Sequence, residues 1–212
     1  MEENIPQQYT GAKSDTVSEI TLNTETEAVA HFETVKKRFL DVNSWEFFAG
    51  EEKASFTLRD ELGNLLLEKP KVGNYFKIQI PGLHNPTGDG FDWVRIEEMK
   101  EEKDERGESI YIRVRPASDP TKPDHKTAHF FDETATSNFL IKREGSKITA
   151  EVHGRNEEPN TEDLSVLEKV RNFLVAVGGM IAGSKFQWKS LTEGLIKFDR
   201  LERRMNIQKL SL

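Results

Sequence analysis

Histidine and carboxylate side chains that could share a metal ion occur together in one segment of the chain. His125 and His129 are four residues apart, and Asp124 and Asp132 lie nearby. Imidazole and carboxylate groups are common zinc ligands, and a His-x3-His pair presents both rings on one face of a helix. Pro123 instead makes this stretch a loop that turns into a strand. We therefore interpret both histidines as loop residues and predict no metal site.

Other catalytic signatures are sparse. The sequence has no cysteine, and it contains no nucleophile elbow, phosphate loop or dinucleotide fingerprint. We accordingly predict no cofactor. If the strands alternate regularly, Ser137 is the one polar side chain on the inner face of the sheet. It is therefore the candidate for an enzyme of the cyclase or hydrolase type, which remains an alternative to simple binding.

A shift of strand register would create a different site. If every strand slipped by one residue, basic side chains would turn inward and form an anion site, because the side-chain period of a strand is two residues. The same slip would expose the apolar set to water. We therefore expect these side chains to point outward: Arg95, Arg113, Arg115 and His153.

The spacing of apolar residues predicts the strands and helices that must position such residues. Alternating residues predict strands over 19–23, 54–59, 73–81, 92–100, 109–115, 136–143 and 147–153. Helical spacing that includes Val29, Phe32 and Val35 predicts a helix over 25–41, with Thr24 or Thr26 as its N-cap, and a short aromatic helix follows over 42–48. Glycine-containing turns at 104–107 and 144–146 predict two hairpins.

The chain closes with a long amphipathic stretch, predicted as one helix over residues 160–204. Its apolar stripe requires a large partner surface, and the sheet is the natural partner. Gly178, Gly179 and Gly183 lie within it, which favours a close approach of the sheet or room for a ligand. Apolar residues recur every seven positions: Leu167, Leu174, Ile181, Trp188 and Leu195.

Together these elements predict an α+β protein. We expect a curved antiparallel sheet of about seven strands around a long C-terminal helix, with two short helices after the first strand. Residues 1–16 would be a polar leader, residues 17–198 a single domain, and residues 199–212 a helix extension or tail.

With this element order, the chain resembles the START-like or SRPBCC superfamily, the helix-grip fold that includes polyketide cyclase-like proteins. The local cues are Phe39-Leu40-Asp41-Val42-Asn43-Ser44-Trp45, Lys71-Val72-Gly73, and a final helix with Trp188 and Leu191. The resemblance implies a cavity between sheet and helix that binds an apolar or amphipathic molecule. The fold hosts binders, cyclases and co-chaperone-like activators alike.

An apolar inner face suits a lipid, an aromatic or a polyketide-like ligand, although the same side chains could simply fill a core. Trp45 and Phe48 would border one end of the cavity and the loop 82–90 the other. Trp93 belongs to the set only if its strand begins with a bulge. The predicted ligand-binding residues are Trp45, Phe48, Phe76, Trp93, Phe139, Phe173, Val177, Met180, Ile181 and Trp188.

Charge and composition limit the partners. The net charge of −7 disfavours nucleic acid, and no apolar run approaches the roughly 20 residues that span a bilayer. The lack of cysteine and of a signal-like N-terminus predicts a cytoplasmic protein. Leu195, Phe198, Leu201 and Met205 continue the stripe, so a protein-interaction module that forms a homodimer through the C-terminal helix is a further alternative.

Overall fold

The computed structural model describes residues 5–49, 54–80, 85, 87–123, 125–160 and 180–198. The first strand, β1, is followed by helix α1, a single 3₁₀ turn (Val42–Ser44) and helix α2, and after six further strands the described chain ends with helix α3. The strands are β1 (Ala12–Thr21), β2 (Ser55–Arg59), β3 (Tyr75–Gln79), β4 (Asp92–Lys103), β5 (Gly107–Pro116), β6 (Thr136–Glu144) and β7 (Lys147–Glu157). The helices are α1 (Glu25–Leu40), α2 (Trp45–Ala49) and α3 (Met180–Ile196).

The strands form one antiparallel sheet of seven strands in the order β1-β7-β6-β5-β4-β3-β2. Both predicted hairpins are present, β4–β5 and β6–β7. The first strand therefore pairs with the last, and the helices α1 and α2 connect the two edges of the sheet. The prediction of an α+β fold with a seven-stranded antiparallel sheet and a C-terminal helix is confirmed.

The first strand is longer than predicted. It begins at Ala12 rather than at residue 19, because its backbone pairs with β7 from the Ala12–Glu157 pair to the Thr21–Lys147 pair. Residues that read as leader, such as Ser14 and Thr16, are therefore part of the sheet and are buried. Their polar side chains conceal the strand from a search for apolar alternation.

Helix α1 follows its sequence signals closely. The Thr24 hydroxyl accepts a hydrogen bond from the Glu27 amide at 3.1 Å, as an N-cap should. Val29, one of the residues whose spacing predicted the helix, is 39% exposed, because the helix turns a neighbouring stripe toward the sheet. That stripe consists of Ala28, His31, Phe32, Val35 and Phe39.

The inner face of the sheet carries the core. The apolar residues predicted to point inward from the seven strands either belong to one buried cluster or pack against it, with helix residues Leu191, Leu195 and Ile196 on the other side. The register is therefore the predicted one. The inner face is less uniformly apolar than expected, however, because Glu108 and Arg143 are buried under α1 and joined at 3.1 Å.

Helix α3 packs against β1, β7 and α2. The prediction of one helix over 160–204 is wrong at both described ends: Asn160 is not helical, and the helix ends at Ile196. Phe198 leaves the helical stripe and packs edge-on against His31, with ring centroids 4.8 Å apart.

Residues 161–179 and 199–212 lie outside the described part, as do Gly178, Gly179, Leu201 and Met205. No helix among the described residues is long and apolar enough to cross a membrane.

Candidate functional site

Between the sheet and α3 lies a cluster of aromatic rings. Trp45 is at its centre, with ring centroids 5.0 Å from Phe139, 5.6 Å from Phe76 and 5.5 Å from Phe56. On the helix side, Trp188 lies 5.4 Å from Phe139 and 5.9 Å from Phe56. The tilted and edge-on geometries are those that aromatic pairs prefer. The fold thus brings together four of the predicted ligand-binding residues: Trp45, Phe76, Phe139 and Trp188.

Trp45 is held in place from the end of α1. The chain turns through Val42–Ser44 directly after that helix, and the Trp45 Nε1 donates a hydrogen bond to the Phe39 carbonyl oxygen at 3.1 Å. The side chain has no exposed surface and its polar atom is satisfied. Trp45 is therefore a fixed member of the aromatic cluster.

Trp188 and Phe48 are the more accessible members of this region. Both are partly buried and pack against the core cluster. The backbone of Gly194, six residues beyond Trp188, lies so close to the backbone of Phe48 that a Cβ at position 194 would overlap it. Helices α2 and α3 therefore meet directly where the sequence predicted one end of a cavity.

On its other side, α3 is attached to β1 through polar side chains. The hydroxyls of Ser18 and Thr192 lie 2.7 Å apart, and the Lys189 Nζ donates to the Val17 carbonyl oxygen at 3.1 Å. Further along β1, the Ser14 hydroxyl donates to Glu157 Oε1 at 3.1 Å. Sequence reasoning missed this polar strip; the alternation of Ser14, Thr16 and Ser18 was its signal.

The remaining predicted binding residues are distributed differently. Phe173 and Val177 lie outside the described residues. Met180 and Ile181 lie in α3, and their side chains are not among those described. Trp93 is buried, but it lies on the outer face of the sheet opposite Lys77 of β3, since its strand has no bulge before it.

The two histidines considered as metal ligands lie in different environments, and Asp124 lies outside the described residues. His125 is exposed, whereas His129 is buried and its Nδ1 accepts a hydrogen bond from the Phe131 amide at 2.9 Å. Burial lowers the pKa of His129 to about 3, so the ring is neutral. Within the described residues, no group of three or more histidine and acidic side chains could hold a metal ion.

Ser137, the candidate for catalysis, is half-buried on β6 between Val114 and Gly154. It shares the inner face with Phe139, as predicted. It was not the only polar residue there, since Glu108, Arg143 and the β1 hydroxyls also lie on that face.

On the outer face, three of the predicted basic residues form ion pairs: Arg113, Arg115 and His153. Glu97 pairs with both Arg113 and Arg115, at 3.2 and 2.5 Å. The alternative in which a register slip turns these residues inward is therefore wrong, because the apolar residues on the same strands are the buried ones.

His153 lies between two carboxylates on this face. Its Nδ1 is 2.6 Å from Asp15 and its Nε2 is 2.9 Å from Glu151. Burial alone would lower the pKa of His153, but the two hydrogen-bonded carboxylates outweigh it and raise the pKa above 6.5. Burial likewise opposes ionisation of Asp15, yet His153 and Arg155 hold its pKa down at about 2. The group links β1 to β7 electrostatically.

One buried carboxyl group has a raised pKa, in contrast to Asp15. Asp92 is 3% exposed at the start of β4 and accepts a hydrogen bond from the Asn85 Nδ2 at 2.7 Å. Burial raises its pKa to about 7, and the bonds from Asn85 and from the Phe130 amide only partly oppose that shift. Asp92 thereby joins two loops to the end of the sheet.

The element order and the position of α3 decide the fold: a strand, two helices, six antiparallel strands, and a final helix against the inner face. The protein has the helix-grip fold. This is the fold of the START-like superfamily, and it agrees with the resemblance found in the sequence.

No protein-family model matches this helix-grip chain, and no curated protein matches it. Similar solved structures include a hypothetical protein from Helicobacter pylori, at 11% identity and a TM-score of 0.45, covering 84% of this chain and 86% of that one. A major latex-like protein from Panax ginseng has 12% identity and a TM-score of 0.36 over 78% of this chain and 97% of the other. Norcoclaurine synthase from Thalictrum flavum has 7% identity and a TM-score of 0.31, over 92% and 100%.

Proposed function

We propose that the protein binds a hydrophobic or amphipathic small molecule, such as a lipid, an aromatic or a polyketide-like compound, between the inner face of the sheet and the C-terminal helix. The observation that carries this proposal is the position of Trp188. It is the partly exposed ring of an otherwise buried aromatic cluster, and it stands on the helix that covers the sheet. Apolar sites with a few rigid rings are typical of small-molecule pockets.

Rigid neighbours favour such a role for Trp188. Phe139 and Phe56, which it contacts, are 3% and 4% exposed, and both belong to the sheet. A ligand ring or alkyl chain that packs on Trp188 would bury further apolar surface without disturbing Trp45, which is fixed by its bond to Phe39. Burial of apolar area contributes about 25 cal/mol for each Å².

The proposed contact set keeps Trp45, Phe48, Phe76, Phe139 and Trp188 from the part of the chain that the structure describes. Phe173, Val177, Met180 and Ile181 remain proposed contacts from the helix side. A polar head group, if the ligand has one, would find hydroxyl partners along β1, where Ser14, Thr16 and Ser18 are buried and Ser18 contacts Thr192 of α3. Binding without chemical conversion is therefore our first choice, and the location that we expect is the cytoplasm.

Native mass spectrometry of the purified protein, compared with a denatured spectrum of the same sample, tests this proposal. We expect an added mass that is lost on denaturation, or uptake of fatty acids or aromatic probes by the apo protein. Acrylamide quenching gives a second readout, because Trp45 and Trp93 are 0% and 2% exposed while Trp188 is partly exposed. A bound ligand should protect the quenchable fluorescence.

Two variants make the test specific. Trp188→Phe should remove the quenchable component and weaken ligand uptake, whereas Leu67→Ala, at a side chain that is 86% exposed, should change neither. A clean apo mass that accepts no probe, together with quenching that no probe alters, would contradict the proposal. The same native spectrum reports whether the chain forms the predicted homodimer, which the described residues do not test.

A further inference from the structure

A second compartment lies on the opposite face of the sheet. Lys77 on β3 and Trp93 on β4 are directly opposed in the register, and both point outward. Loop residues cover them: Gly88 lies so close that a Cβ there would be 3.2 Å from the Trp93 Cδ1. The Lys122 Nζ donates to the Thr87 carbonyl oxygen at 2.8 Å and ties the two covering loops together. This compartment is separate from the site proposed above, because the sheet stands between them.

Two hydrogen-bond donors in this compartment have no acceptor among the residues that the structure describes. The indole Nε1 of Trp93 is buried and makes no hydrogen bond. The Lys77 Nζ lies 3.7 Å from the centroid of the Phe91 ring and 5.4 Å from that of Trp93, and neither an ion pair nor a hydrogen bond of Lys77 occurs among the described residues. Buried donors are nearly always paired in native proteins. The unpaired indole N–H of the buried Trp93 therefore indicates a missing acceptor, and the half-buried Lys77 ammonium is a cation beside it.

The surrounding charges limit what that acceptor can be. Asp89 is engaged by Lys122 at 2.8 Å, and Asp119 Oδ1 accepts from the Thr121 amide and hydroxyl. Among the basic residues, the positive charge of Arg59 repels that of Lys77. Burial, and then the charge of Arg59, lower the pKa of Lys77, and the two aspartates do not compensate. These charges together favour a ligand with one negative charge over a multiply charged phosphate.

We propose that this compartment binds the carboxylate of a small organic monoacid, with one oxygen accepting from the Lys77 ammonium and the other from the Trp93 indole N–H. A carboxylate has two acceptor oxygens, so it can accept from an ammonium and from an indole N–H at the same time. The apolar part of the acid would pack against Phe91 and Tyr75, whose rings adjoin the two donors. Phe91 and Lys77 are only half-buried, so the ligand enters from their side of the compartment.

The indole protons of the three tryptophans provide the test. In a nitrogen–proton correlation spectrum, the Trp93 signal, assigned with Trp93→Phe, should shift saturably as sodium benzoate is added. The Trp45 signal serves as an internal reference, because its Nε1 is already bonded to Phe39. Lys77→Met should weaken benzoate binding by about tenfold or more, as expected for loss of a charge-assisted hydrogen bond. Lys77→Arg should retain the shift.

Lys142→Met is the matched control, since Lys142 is also an outer-face lysine but is paired with Glu144 at 3.4 Å. It should bind benzoate as the original protein does. If the Trp93 signal does not move, or moves equally in Lys77→Met, the proposal is wrong. Native mass spectrometry of Lys77→Met should still show the inner-face adduct, so failure of one site is distinguishable from failure of the other.

Discussion

His31 of α1 donates a hydrogen bond from its Nε2 to the carbonyl oxygen of Ile196, the last residue of α3, at 2.9 Å. Arg38, two turns further along α1, donates to the carbonyl oxygens of Leu195 at 3.2 Å and Lys197 at 2.7 Å. The end of a helix leaves its last carbonyls without partners, and cations there complement the helix dipole. The first helix thus supplies the C-cap of the last one and fixes where it ends.

Arg38→Met should therefore loosen α3 specifically. We expect a loss of about 1–3 kcal/mol in the free energy of unfolding, because the charged donor is removed and carbonyl groups lose their partner. Urea denaturation measures the loss, and amide exchange should quicken in α3. Lys37→Met is the control, as Lys37 is the exposed neighbour on the same turn. Equal stability of the two variants would contradict a capping role.

Gly194→Ala tests the contact between α2 and α3. Alanine in a helix interior normally stabilises it by about 1 kcal/mol relative to glycine. Here the new Cβ would overlap the Phe48 backbone, so we expect destabilisation instead, and a weaker affinity for any inner-face ligand. Thermal unfolding and ligand titration measure the two effects. Glu193→Ala, at the exposed neighbouring position, should alter stability by less than about 0.5 kcal/mol.

The buried pair of Glu108 and Arg143 predicts an asymmetric response. Glu108 is 5% exposed and also bonds to Lys36 at 3.2 Å. Glu108→Gln removes the closer counter-ion of the buried Arg143, which keeps an ion pair at 3.4 Å with the exposed Glu25, and breaking such a buried pair costs about 3–5 kcal/mol. Glu108→Met combined with Arg143→Met should cost much less, since both buried charges are then removed and Lys36 keeps its ion pair with Glu33. Denaturant unfolding of the single and double variants checks this, and additive losses would be evidence against a coupled pair.

The pH dependence of the same pair follows from the sign of its shift. Burial opposes ionisation of Glu108, but Arg143 and Lys36 outweigh it and lower the pKa of Glu108 below 4.5. The folded state therefore favours the carboxylate. Its stabilising effect is present above about pH 4.5 and is lost as the pH falls through the lower, folded pKa. In Glu108→Gln the acid limb of the stability curve should flatten.

His153 predicts a loss of stability on the alkaline side. Because its pKa is raised in the folded protein, its contribution is complete below about pH 6.5 and disappears as the pH rises through the folded value. His153→Gln should therefore be destabilised below pH 6.5 and approach the original protein near pH 9, within about 0.5 kcal/mol. Unfolding free energies across this range, with an NMR titration of the imidazole, provide the measurement.

Asp92 makes the stability of the protein depend on pH over a lower range than His153 does. Its pKa is raised from 3.8 to about 7 in the folded state, so the protonated carboxyl is favoured there, and stability falls as the pH rises from 3.8 toward 7. Asp92→Asn keeps the carbonyl oxygen that accepts from Asn85 and removes the charge. We expect this variant to be more stable than the original protein at pH 8 and less distinct at pH 4. A difference independent of pH would rule out titration of Asp92 as the cause.

The sequence predicted the individual strands and helices most accurately. Period-two alternation in Phe76 and Ile78, or in Val94 and Ile96, set the register correctly, because every slip would expose a whole apolar face. Thr24 marked the start of α1 through a local hydrogen bond. The order of these elements then determined the helix-grip architecture, since an amphipathic sheet must be covered and a long apolar helix was the available cover.

What only the tertiary structure decided are contacts between distant segments. Residues 12–18 have no apolar pattern of their own, and they become a strand because the backbone of β7 offers them a partner. The end of α3 is set by His31 and Arg38, more than 150 residues earlier. Trp93 is buried on the outer face, where two loops fold over it. Local propensity carries no information about such partners, because their contribution arises only when the chain is folded.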